Sequence, residues 1–119
     1  MRESILKTKS YEFAIRIVKL SQFLVTEHRE FVLSKQILRS GTAVVGALIR
    51  EAEYGQSKAD FRHKMAIALK EASETDYWLN LLKDTNYLTE KLFQSLSSDC
   101  IELIKLLTAT VKTTQPAAK

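Results

Sequence analysis

Apolar residues return every three to four positions along four long stretches of this chain, and no stretch shows the alternation of a half-buried strand. The longest runs from Lys58 to Lys83 without a glycine or proline, so nothing in it opposes a helix. Phe61, Met65, Leu69, Ala72, Leu79 and Leu82 form its apolar stripe, and Ala66 and Ala68 are small enough to let another helix approach. Ser57 is a natural N-cap, and Asp60 sits where the helix dipole favours a negative charge. Before it, Phe13, Ile17, Leu20 and Leu24 follow a four-three-four spacing, widened by Ala14, Val18 and Val25. Ser10 is placed to cap that helix, and the basic residues 1–9 read as a lead.

A second helix is expected from about residue 33 to 54 on Ile37, Leu38, Val45, Leu48 and Ala52. Gly55 is its stop. A fourth runs from about 89 to 112 on Leu92, Leu96, Cys100, Leu103, Leu107 and Val111, leaving a polar tail at 113–119. Gly41 and Gly46 interrupt the second helix, each costing about 1 kcal/mol against alanine. Two readings fit them: close packing, or a ligand touching the backbone. SGTAVVG is no phosphate loop, since the Gly-Lys-Ser/Thr ending is missing. One proline and three glycines supply few turns. The expected fold is therefore all-α: a single domain over residues 1–119, an antiparallel up-down-up-down four-helix bundle held together by a shared core.

Charge changes the picture modestly. The net charge is +4. Residues 1–50 carry nine Lys or Arg against four acids, a surplus of five, whereas residues 51–119 carry nine against ten. A basic front half suits nucleic acid or another acidic partner. Arg39, Arg50, Lys58 and Arg62 flank the corner between helices two and three, and Arg16 and Lys19 lie on helix one. They could line phosphates or simply form a solvated face, and no zinc, helix-turn-helix or RNP signature accompanies them. Cys100 is the sole cysteine and cannot form an internal disulfide, which points to a reducing compartment. Charges follow Met1 with no apolar run, and no stretch reaches membrane-span length. A cytoplasmic protein without membrane contact is expected.

Candidate chemistry is sparse. Glu71 and Glu74 share a helical face, with Glu51 near the end of helix two. A di-iron bundle would need Glu-x-x-His pairs. No histidine follows a glutamate at that spacing, and His28 and His63 fall in different segments. The simpler expectation pairs Glu71 and Glu74 with Arg50, Lys70 or a neighbouring subunit. No Gly-x-Ser-x-Gly elbow is present, and Cys100 reads as a small core residue. Neither catalytic residue, metal nor cofactor is expected. Tyr77 and Trp78 are adjacent, so at most one faces the deep core and the other is free for an interface.

QILRSGTAVVGALIREAE (residues 36–53) and SKADFRHKMAIALKEASETDYWLNLLKD (residues 57–84) resemble the bacterial four helix bundle protein family, products of intervening sequences within 23S ribosomal RNA genes. The resemblance spans nearly the whole chain, from Phe13-Ala14 to Leu106-Leu107, and KEASETDYWL (residues 70–79) is its most specific part. The family usually has a Gly-Thr-Ser-x-Gly-Ala-like segment. Here residues 41–46 read GTAVVG, one residue longer and without that serine, a length that a π-bulge can absorb.

The resemblance implies an antiparallel four-helix bundle and a homopentamer. Similar bundles, including the basic accessory protein of diversity-generating retroelements, form five-membered rings, and that protein is thought to bind nucleic acid and its reverse transcriptase. The expectation is a non-enzymatic homo-oligomer that offers RNA or a ribonucleoprotein a basic surface built from Arg16, Lys19, Arg39, Arg50, Lys58 and Arg62. Glu51, Glu71, Glu74, Tyr77 and Trp78 would serve in the core or between subunits. The alternative is a scaffold for protein partners with no nucleic-acid role.

Overall fold

A computed structural model of the chain describes residues 2–47 and 57–114. They hold four helices and no strand: α1 Arg2–His28, α2 Leu33–Gly46, α3 Lys58–Asp84 and α4 Glu90–Thr114. A helix of 27 residues, the length of α1 and α3, is about 40 Å long at 1.5 Å per residue. The molecule measures 50 × 25 × 23 Å, so the rods lie along its long axis.

The stripes read from the sequence supply most of one shared core. Phe13, Ile17, Leu20 and Leu24 of α1 are buried with Ile37 and Val44 of α2, Met65, Ala72, Leu79 and Leu82 of α3, and Leu96, Cys100, Leu103 and Leu107 of α4. Phe61, Leu69, Leu92 and Val111 pack against its edge. Several positions differ from expectation. Ala68 is buried, whereas Ala66 lies in solvent. Val18, expected to widen the core face of α1, is exposed, because the four-three-four stripe already fills that face.

The start of α1 also differs. The helix begins at Arg2, not at Ser10. Leu6 is the reason: it is fully buried seven residues ahead of Phe13 and carries the stripe two turns further back. Ser10 is no cap. It is buried mid-helix, and its hydroxyl donates to the Lys7 carbonyl at 3.1 Å.

Small residues set the α1–α2 seam. A Cβ on Gly41 would stand 2.8 Å from two carbons of Ile17, so this glycine is a packing residue. Gly46 has nothing within 4 Å of such a Cβ. Ala47, next in line, keeps right-handed helical dihedrals, and its amide donates to the Ala43 and Val44 carbonyls. Leu48, Ala52 and Gly55, and with them the expected continuation of helix two to residue 54, lie outside the described residues.

The turns are built from local chemistry. Ser57 caps α3, its hydroxyl accepting from the Asp60 amide at 3.1 Å. Thr89 caps α4 in the same way, accepting from the Leu92 amide. Asn86, with φ 70°, closes α3 with a Schellman pair: its own amide donates to the Lys83 carbonyl and the Tyr87 amide to the Leu82 carbonyl. Glu30 does the capping at α2, where its carboxylate accepts from the amides of Val32, Leu33 and Ser34 at 3.2, 3.0 and 2.8 Å.

Candidate functional site

The expected cations fall into separate places. On α1, Arg16, Lys19, Leu20 and Phe23 share the side that turns toward α4. With Leu92 and Leu96 of α4 they line a groove of about 320 Å³. Arg16 is fixed there: one guanidinium nitrogen donates to Asp99 Oδ2 at 2.7 Å and the other to Ser95 Oγ at 2.9 Å. Lys9 reaches Glu102 at 3.3 Å one helical stretch away. Lys19 is exposed at the lip of the groove, and Phe23 leaves 38% of its surface to solvent. The ring of Phe23 meets His28 edge-on at 5.2 Å between centroids, and His28 meets Tyr87 in the same way at 5.3 Å. An aromatic row therefore runs from the groove to the end of the molecule.

Arg39 sits elsewhere, on the face between α2 and α3. Its guanidinium spans two carboxylates, reaching Glu71 at 3.3 Å and also Glu74. The Trp78 indole donates to Glu74 Oε2 at 3.2 Å. That indole bond, ahead of the Arg39 contacts, holds the Glu74 carboxyl below its ordinary range, against a partial loss of hydration. Arg39 is in turn raised, chiefly by its bond to Glu74. Tyr77 packs edge-to-face on Trp78 at 4.9 Å and is 57% exposed. Of the expected partners of Glu71 and Glu74, Lys70 adds a weaker pull on Glu74 and Arg50 lies outside the described residues; the ion pairs are made by Arg39, whose place opposite them is set by the register of α2 on α3. Beneath the cluster, Thr75 and Ser40 are fully buried and bonded to each other.

Lys58 and Arg62 mark a third place, the start of α3. Lys58 is exposed, and Arg62 donates to the Thr114 carbonyl at 2.8 Å. Arg50 and Glu51 lie outside the described residues. Arg16 and Lys19 are thus brought together, Arg39 joins the acidic and aromatic set, and Lys58 and Arg62 stand apart from both.

Cys100 is buried, and its thiol contacts the Ala72 carbonyl at 3.3 Å. Loss of hydration, then the charges of Asp76 and Asp99, push the thiol up to about 12, so it stays protonated and unreactive at neutral pH. Among the described residues no group of three His, Cys, Asp or Glu could hold a metal ion. No helix among them is long and apolar enough to cross a membrane.

Sequence reading missed Phe23, Asp99 and Glu30. Phe23 had a signal: Arg16, Lys19, Leu20 and Phe23 follow the i, i+3, i+4, i+7 spacing of a second stripe beside the core stripe. Glu30 had a weaker one, an acid just ahead of a helix start. For Asp99 there was none, because its role depends on which residue of α1 lies opposite.

Comparison with known proteins places this geometry. Residues 2–109 match the family described as 23S rRNA-intervening sequence protein. A crystal structure of a protein of unknown function, from the S23 ribosomal protein family of Bacteroides thetaiotaomicron VPI-5482, is 54% identical. The similarity covers 94% of this chain and 99% of that one, with a TM-score of 0.91. No curated protein matches the chain.

Proposed function

Because this chain belongs to the 23S rRNA-intervening sequence protein family, we propose that it is a non-enzymatic, homo-oligomeric bundle that binds RNA or a ribonucleoprotein through a basic surface in the cytoplasm. The observation that carries the reading is the pairing of Arg16 with Lys19 at the lip of a solvent-facing groove, on a helix that carries five of the nine basic residues of the front half. Phosphates are drawn to such a lip by charge and by counterion release.

An antiparallel up-down-up-down arrangement is supported by the opposed senses of the cross-helix contacts. Lys9 and Arg16 ascend α1 while their partners Glu102 and Asp99 descend α4. Ile17 and Ser21 ascend as Gly41 and Ser34 descend. Ala72 and Lys83 ascend α3 as Cys100 and Phe93 descend α4. A role without catalysis is supported by the state of the reactive groups: Cys100 is held as a thiol, and Glu71 and Glu74 are bridged by Arg39.

Self-association is supported by an apolar stripe that one bundle leaves uncovered, and a ring of five copies is what the family resemblance implies. Tyr11, Ile15 and Val18 are all exposed on α1 at a four-three spacing. The same stripe supports a second reading, a scaffold for protein partners only. Salt separates them. RNA binding should be strong at ~50 mM salt and fall steeply as salt rises. A gel shift with structured RNA that shows no complex at that salt ends the RNA reading. A protein partner recovered from nuclease-treated lysate would then favour the scaffold.

A further inference from the structure

We infer that the groove between α1 and α4 is a site for an unpaired nucleotide of RNA, its base resting on Phe23 and the apolar floor and its phosphate meeting Lys19 and Arg16. This rests on the RNA reading and adds the place and the kind of strand. The floor is Leu20, Leu92 and Leu96, and the open lip is Phe23 and Lys19. A base has two apolar faces and a charged tether, and single strands are held by proteins through aromatic stacking beside basic side chains.

The charges agree with that occupant. Asp99 is the acid nearest the groove's cations, and Arg16 neutralises it at 2.7 Å. No acidic side chain among the described residues is paired with Lys19. The size agrees as well. At about 320 Å³ the groove lies at the lower end of the range for small-ligand sites, which suits one nucleotide. Base pairs in a duplex keep their faces stacked on one another and cannot enter. The row Phe23, His28, Tyr87 continues from the groove and gives a following base further rings to lie against.

The test uses the full chain and two fluorescein-labelled RNAs of about ten nucleotides, one uridine-rich single strand and one duplex. Anisotropy is read for the wild type, Phe23→Ala, Phe23→Trp and Lys19→Ala, each checked for its helical circular dichroism. Phe23→Ala should weaken single-strand binding about tenfold, the scale of one stacked base, and Phe23→Trp should restore it. Lys19→Ala should weaken both RNAs, whereas Phe23→Ala should leave the duplex unaffected. A 4-thiouridine version of the single strand should crosslink within residues 16–23 or 92–96. If the wild type binds RNA and Phe23→Ala binds the single strand equally well, the groove is not the site and the RNA reading stands without it. If the wild type binds neither RNA at ~50 mM salt, where phosphate contacts are strong, both fall. An acidic amphipathic peptide that binds the wild type but not Phe23→Ala, with RNA binding unchanged between them, would assign the groove to a protein and overturn the inference.

Discussion

Thr75 donates its hydroxyl to Ser40 Oγ at 2.8 Å, joining α3 to α2 inside the core where both residues are fully buried. Each hydroxyl also has a carbonyl of its own helix in reach: Ile37 for Ser40 at 3.4 Å and Glu71 for Thr75 at 2.9 Å. Removing one partner leaves the other with its local carbonyl. Thr75→Val and Ser40→Ala should therefore each cost about 1 kcal/mol, not the larger penalty of an orphaned buried group. The double variant should cost less than the sum, because two apolar groups then face each other. Urea unfolding of the four proteins gives the coupling directly. Strict additivity would mean that the two hydroxyls do not hold each other.

Glu30 caps a helix to which it does not belong. Three successive amides at the start of α2 donate to its two oxygens, and the N-terminal dipole favours the negative charge. Glu30→Ala should lower stability by about 1 to 2 kcal/mol, and Glu30→Gln by less, since one amide oxygen can still accept. Thermal melts of both variants check the order. Equal losses would show that charge, not acceptor geometry, does the work.

Two glycines of α2 should respond in opposite directions. Gly41→Ala forces Cβ to within 2.8 Å of Ile17, a buried and branched side chain with little room to move. Overpacking of about 1 to 3 kcal/mol should outweigh the roughly 1 kcal/mol of helix propensity gained. Gly46→Ala meets nothing within 4 Å and should be neutral or stabilising by up to about 1 kcal/mol. Chemical denaturation distinguishes the two. A loss at Gly46 seen only at high protein concentration would reveal a second copy packing there.

Period and register were unequally legible in the sequence. The stripes of α3 and α4 could be read because apolar spacing is a property of one helix. The start of α1 could not, because Ser10 looks like a cap and only Leu6, beside Ile5 in an otherwise polar lead, argues otherwise. Glu71 and Glu74 were readable as a shared face, but their partner was not. Arg39 faces them through the register of α2 on α3, which no spacing within either helix encodes. The groove is one step further removed, since it depends on how far α4 stands from α1. Leu92 therefore reads as an ordinary stripe member, and Phe23 is missed.

Glu74 makes acid stability sensitive to one carboxylate. Its pKa is lowered in the folded chain, first by the Trp78 indole and then by Arg39. A lowered folded value means that the stabilisation is present above the unfolded value of 4.5 and is lost as pH falls through the folded one. Arg39 is 52% exposed, so solvent screens much of the pair. Glu74→Gln should be less stable than the wild type at neutral pH, and the two unfolding curves should converge below pH 4.5. A gap that stays constant down to strong acid would mean that the carboxylate's charge is not what stabilises.

Tyr11, Ile15 and Val18 lie on the side of α1 away from Ile17 and Leu24, and the core packing of α1 among the described residues leaves them exposed. A ring with an odd number of subunits cannot use a two-fold contact. Each interface must join two different patches, and the same patch recurs in every interface. One charge placed on the α1 stripe would therefore meet the neighbour's patch at every junction of the ring at once. Ile15→Glu should convert the assembly to a species sedimenting near 13.6 kDa with its helical circular dichroism intact, because Ile15 is already 41% exposed in the single bundle. A wild type that itself sediments near 13.6 kDa would end the proposal of self-association. A variant that stays assembled would move the interface off α1 and leave the exposed Tyr77 face of α3 as the next place to charge.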